Sequence, residues 1–64
     1  MDTTTRTTGL DLKLWRLSLG LSVGEVAAAA GCSRTYINRI EREARPSERA
    51  CSLYIVAVTR ARDR

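Results

Sequence analysis

Between Ser33 and Arg42 the chain reads SRTYINRIER, and its side chains divide into two sets. At helical spacing Ile37 and Ile40, with part of Tyr36, share one face. Arg34, Thr35, Asn38, Arg39 and Arg42 share the other. The second set is a row of hydrogen-bonding groups. An arginine presents a planar fork that fits a phosphate or the edge of guanine, and an asparagine can bond adenine through two contacts. Catalysis has no comparable set. The sequence contains no histidine, Cys32 and Cys51 form no C-x-x-C pair, and no glycine-rich phosphate loop occurs. Catalytic residues, metal ligands, a cofactor and a small-molecule substrate are therefore not expected. Tyr36 reads as packing and groove edge. Each cysteine lies among apolar neighbours and reads as a buried thiol acting as a small hydrophobe.

Such a row needs a scaffold, and 64 residues allow one small domain. The net charge is +4. Residues 1–31 are balanced, so the surplus lies in residues 32–64, where arginine supplies every cation. A basic half is the footprint of a polyanion partner. No apolar run approaches the roughly 18 residues of a membrane span, and no signal-peptide pattern opens the chain, so a cytoplasmic protein without a membrane partner is expected.

Four helices are expected. Residues 1–8, rich in threonine, read as a flexible arm from which Arg6 could reach a groove or phosphate. Leu10, Leu14, Leu17 and Leu21 then recur at helical spacing, with Leu12 and Trp15 widening the stripe. Thr8 with Asp11 forms a capping box and Gly20 a stop. Ser22 with Glu25 forms a second box, followed by the small apolar face of Val26, Ala27 and Ala30, which ends at Gly31. Ser33 caps the third helix. After Arg45-Pro46-Ser47, residues Ala50, Leu53, Tyr54 and Ala57 fit a helical core face, although the β-branched run in residues 53–59 also suits a strand. The domain is expected over 9–60, with 61–64 a fraying charged tail.

The second and third helices meet at a bend that needs a residue without a side chain, Gly31, and a small residue at the crossing, Ala27. That is a helix-turn-helix. The third helix is held by Ile37 and Ile40, and its free face can enter a major groove. Arg42, Arg45 and Arg49 follow it and read as phosphate contacts. Backbone N–H groups at the start of the second helix, near Ser22 and Val23, could bind another phosphate.

Residues 21–41, LSVGEVAAAAGCSRTYINRIE, resemble the Cro and phage-repressor (XRE-like) family, and the resemblance spans roughly residues 10–58. It implies an all-α, lambda-repressor-like bundle of about four helices that binds double-stranded DNA. It implies base reading by Ser33, Arg34, Thr35, Asn38 and Arg39, and an ion pair between Arg16 and Glu41. Three positions depart from the family pattern. Val23 replaces the glutamine that opens the second helix. Glu43 replaces a glycine, implying a different end to the third helix. The sequence also stops soon after the fourth helix, so a full fifth is not expected. The expected function is a sequence-specific transcription regulator, Cro-like or repressor-like and of phage type, acting as a homodimer at least on DNA. Ile55, Val56 and Val58, facing outward, are the expected dimer contacts. The alternatives are a protein-interaction module, such as an antitoxin or adaptor, and an excisionase-like architectural DNA-binding factor.

Overall fold

The computed structural model describes residues 7–63; residues 1–6 of the expected arm, with Arg6, and the terminal Arg64 lie outside them. Four helices follow in order: α1 (Gly9–Ser18), α2 (Val23–Ala30), α3 (Arg34–Arg42) and α4 (Glu48–Arg62). Each starts where a hydroxyl can accept from a first-turn N–H, at Thr8, Ser22, Ser33 and Ser47. Both expected capping boxes form, Thr8 with Asp11 and Ser22 with Glu25. A cap of this kind contributes about 1 kcal/mol, a large share for helices of two or three turns. Gly31 closes α2 at φ 72°, a left-handed conformation that other residues adopt only under strain. The Cys32 N–H then reaches back to the Ala27 carbonyl at 3.0 Å, which locks the bend into α3.

The core holds Leu12, Val26, Ala27, Ile37, Ile40, Ala50, Tyr54, Ala57 and Val58. α2 packs chiefly on α4, where Ala27, Ala50 and Ala57 leave room for a close approach, while α3 packs on α1 and α2. Residues 53–59 are helical, so the strand alternative is excluded. Ser47 caps that helix, and Ala50, Tyr54, Ala57, Val58 and Ala61 are buried along one side of it. α4 therefore runs through Arg62, past the expected fraying point at 61, because Ala61 still has core to cover. Val58, expected on the surface, is 0% exposed. It stands one residue beyond Ala57 and four beyond Tyr54, inside the buried arc. Cys32 and Cys51 are half-buried rather than buried.

The face of α1 is the larger correction. Leu10, Leu14 and Leu17 are more than half exposed, and Gly9, Leu12 and Arg16 face inward instead. Two contacts enforce this rotation. Gly9 sits so close to the end of α3 that a Cβ there would stand 2.3 Å from the Ile40 carbonyl oxygen, and its N–H donates to the Glu43 carbonyl at 2.8 Å. Two turns later, the Arg16 side chain turns into the core.

There Arg16 Nε donates to Glu41 Oε2 at 2.8 Å, Nη2 to Oε1 at 3.3 Å, and Nη1 to the Leu21 carbonyl at 2.8 Å. The Tyr54 hydroxyl donates to the same Glu41 Oε2. The two charged side chains are only 6% and 5% exposed. The Glu41 hydrogen bond raises the Arg16 pKa above its ordinary value despite desolvation. Burial, and then the Glu41 carboxylate, pushes the Tyr54 phenol well above the usual tyrosine range. Both groups therefore stay protonated as donors. One carboxylate thus ties α3 to α1 and α4.

Removing one partner of a buried pair strands the other charge, at a cost on the order of 3–5 kcal/mol. Glu41→Ala is accordingly expected to lower stability by about that amount in urea melts. The double change with Arg16→Leu is expected to cost less than the two single losses added together. Additive losses would show that the two residues do not interact.

Candidate nucleic-acid interface

α3 is short, and its two sides contrast sharply. Ile37 and Ile40 are fully buried, and the Ser33 hydroxyl accepts from the Tyr36 N–H at 3.1 Å, which fixes where the helix begins. Tyr36 is half-buried beside the core. Ser33, Arg34, Thr35, Asn38 and Arg39 are all exposed. Thr35, Asn38 and Arg39, with Arg42 and Glu43, line one shallow groove on the outside of the helix. Arg34 departs from this line: its guanidinium lies back across α2 beside Gly24. Ser33 spends its hydroxyl on the cap, so a nucleic-acid contact there would have to share that oxygen.

Arg39 is within 3.9 Å of Glu43 across one turn, and both side chains are largely in solvent. Such a pair is worth roughly 0.3–0.5 kcal/mol, so a phosphate or base edge can displace Glu43 cheaply. Glu43 itself explains the missing glycine. The chain leaves α3 in an extended conformation, φ −80° and ψ 135°, which suits a side-chain-bearing residue. Its carbonyl is then free to receive the Gly9 N–H.

Arg42, Arg45 and Arg49 are exposed at the end of α3, in the connection and in the first turn of α4. The start of α2 is less open than its sequence implies. The Ser22 N–H is already held by Glu25 Oε1 at 2.8 Å, as its capping box requires, and Val23 is half-buried. Of the two, only the Val23 N–H retains the free first-turn geometry. Ile55 and Val56 are exposed on α4, while Val58 lies in the core and is removed from any surface. Ile55 borders a hollow with Thr7, Asp11 and Trp15; Val56 borders another with Ala29, Leu53 and Arg60.

Sequence reasoning missed two members of this arrangement. The Tyr54 hydroxyl completes the Glu41 site from α4, and Gly24 makes room for Arg34. A signal existed for the second: a glycine inside the first turn of a helix is unfavourable without a steric reason.

A helix-turn-helix family model matches residues 12–56. No curated protein and no solved structure matched the chain significantly.

The exposed arginines define an electrostatic test. The logarithm of duplex-DNA affinity is expected to fall by about 0.9 per log unit of salt for every phosphate neutralised. Fluorescence anisotropy from low to moderate salt measures the slope. A flat response would mean that Arg42, Arg45 and Arg49 do not meet phosphates.

Proposed function

The chain belongs to the XRE-type (Cro/C1) helix-turn-helix family of DNA-binding proteins, and on that premise we propose that it is a sequence-specific transcription regulator, Cro-like or repressor-like. The observation that carries this reading is the two-sidedness of α3. Ile37 and Ile40 fasten one side in the core, and Thr35, Asn38 and Arg39 are left together on the other. A helix held that firmly can be laid in a major groove without losing its register. In the groove Asn38 suits adenine, Arg34 and Arg39 suit guanine, and Thr35 can bond either kind of edge or touch a thymine methyl. Ser33 adds a contact at the mouth of the groove. Arg42, Arg45, Arg49 and the α2 terminus at Val23 hold the phosphates on either side and set register without reading sequence. Occupying an operator in the cytoplasm would then block or recruit polymerase.

Reading two half-sites calls for two copies related by a twofold axis. In this reading Ile55 and Val56 form the contact between copies, without Val58. Exposed apolar side chains next to one another on a helix favour an interface.

One observation favours a different reading. Leu10, Leu14 and Leu17 form an apolar ridge on α1 that the domain's own core does not use. A protein-interaction module, such as an antitoxin or adaptor, would use such a ridge. Selection from a randomised duplex pool separates the two, because a regulator enriches one sequence and an interaction module enriches none.

Two substitutions divide the reading into parts. Asn38→Ala is expected to cost about 1–3 kcal/mol on the selected site and to relax preference at one or two base pairs. Arg49→Ala is expected to weaken every sequence about equally. If Asn38→Ala left the preference intact, α3 would not be the reading element.

The interface between copies is tested by Val56→Asp. It is expected to leave the thermal melt of the domain near wild type and to convert two-copy complexes on DNA to one copy, as read by sedimentation. A wild-type protein that binds the selected site as a single copy would remove the dimer.

A further inference from the structure

Gly24 occupies the second position of α2, inside its capped first turn. Glycine is among the poorest residues at a helical position, and here the backbone does not call for it. The positive-φ glycines are Gly20 and Gly31, and Gly24 is not among them. What the position lacks is a side chain, and another residue uses the space. A Cβ built on Gly24 would stand 3.2 Å from Arg34 Nε, 3.4 Å from Nη2 and 3.5 Å from Cζ. The guanidinium of Arg34, first residue of α3, therefore lies across the bare backbone of α2. Arg34 is exposed, so burial is not what places it there.

An arginine free in solvent loses much rotamer freedom when it binds, whereas one already resting on a fixed surface loses less. Val23, the residue before Gly24, has no side-chain hydrogen-bonding group to offer the start of α3. Arg34 lies against α2 at Gly24.

We propose that Gly24 is a positioning residue for DNA reading: the space left by its missing side chain seats the Arg34 guanidinium and so sets which base pair Arg34 prefers and how strongly. This rests on the reading of α3 as the base-reading helix. The effect is one of orientation, and it acts only while Arg34 is present.

The test compares base-preference profiles, selected from randomised duplexes, for wild type, Gly24→Ala, Gly24→Leu, Arg34→Ala and the Arg34→Ala doubles. Gly24→Leu is expected to reduce preference about fivefold or more at the same base pairs that Arg34→Ala affects, a loss within the range of one good base contact. In the Arg34→Ala background the Gly24 substitutions are expected to leave the profile unchanged. Gly24→Ala serves as the milder variant should Gly24→Leu fail to fold. It is expected to raise the melting temperature, since alanine is the better helix former, while still weakening the preference. A merely structural role could not produce both effects. If Arg34→Ala alters the profile and the Gly24 variants do not, the proposal is overturned and the reading of α3 stands. If Arg34→Ala leaves the profile of a sequence-selective protein unaltered, Arg34 reads nothing and the proposal falls with it. If no sequence is selected by wild type, both fall together.

Discussion

The Glu41 carboxylate sits where little water reaches it and accepts from Arg16 on α1 and Tyr54 on α4. A carboxylate taken out of water is tolerated only while its hydrogen bonds are complete. Among the described residues, no buried side-chain nitrogen or oxygen lacks a partner. Movement of α3 relative to α1 or α4 would break these bonds inside a low-dielectric site, where the loss is large. Three helices are therefore held at one mutual setting by a group at the last turn of α3. The two isoleucines alone would hold α3 by contact, which tolerates sliding; directional bonds to a charge do not. The fixed presentation of Thr35, Asn38 and Arg39 on the opposite side follows from this.

The same constraint explains why the domain leaves apolar surface uncovered. Arg16 must point inward, and Leu14, two residues earlier, then points nearly the opposite way. With Gly9 pressed against the end of α3, α1 has no freedom to rotate and bury its leucines instead. A domain this small has little apolar surface to spare. Leaving Leu10, Leu14 and Leu17 outside is thus a consequence of the polar network rather than of loose packing.

Much of the architecture was legible in the sequence because its signals are local. Hydroxyl caps at Thr8, Ser22, Ser33 and Ser47, the left-handed stops at Gly20 and Gly31, and the buried pair Ile37 and Ile40 each depend on neighbours within a turn or two. The pairing of Arg16 with Glu41, 25 residues apart, came through the family resemblance and has the expected geometry. What failed was periodicity used alone. A stripe of leucines and an inward arginine on α1 are incompatible, and hydrophobicity favoured the leucines. The Arg16 bonds and the close approach at Gly9 are tertiary facts that no spacing on α1 encodes. Val58 was misplaced for a related reason. Residues 53–59 are apolar nearly all round, so only the packing of α2 on α4 shows which of them face inward. Tyr54 was read as core, and its hydroxyl was overlooked because its partner lies on another helix. On α3 the division into a buried and an exposed polar face was clear, since polar and apolar residues alternate there with the helical period.

The most direct measurement of the central claim is a nuclear magnetic resonance titration of nitrogen-labelled protein with the duplex enriched by selection. Backbone amide signals would be followed along all four helices. The largest changes are expected on Thr35, Asn38, Arg39 and Arg42, with Leu10, Leu14 and Leu17 on α1 unmoved. Changes concentrated on the α1 ridge, with α3 silent, would contradict it.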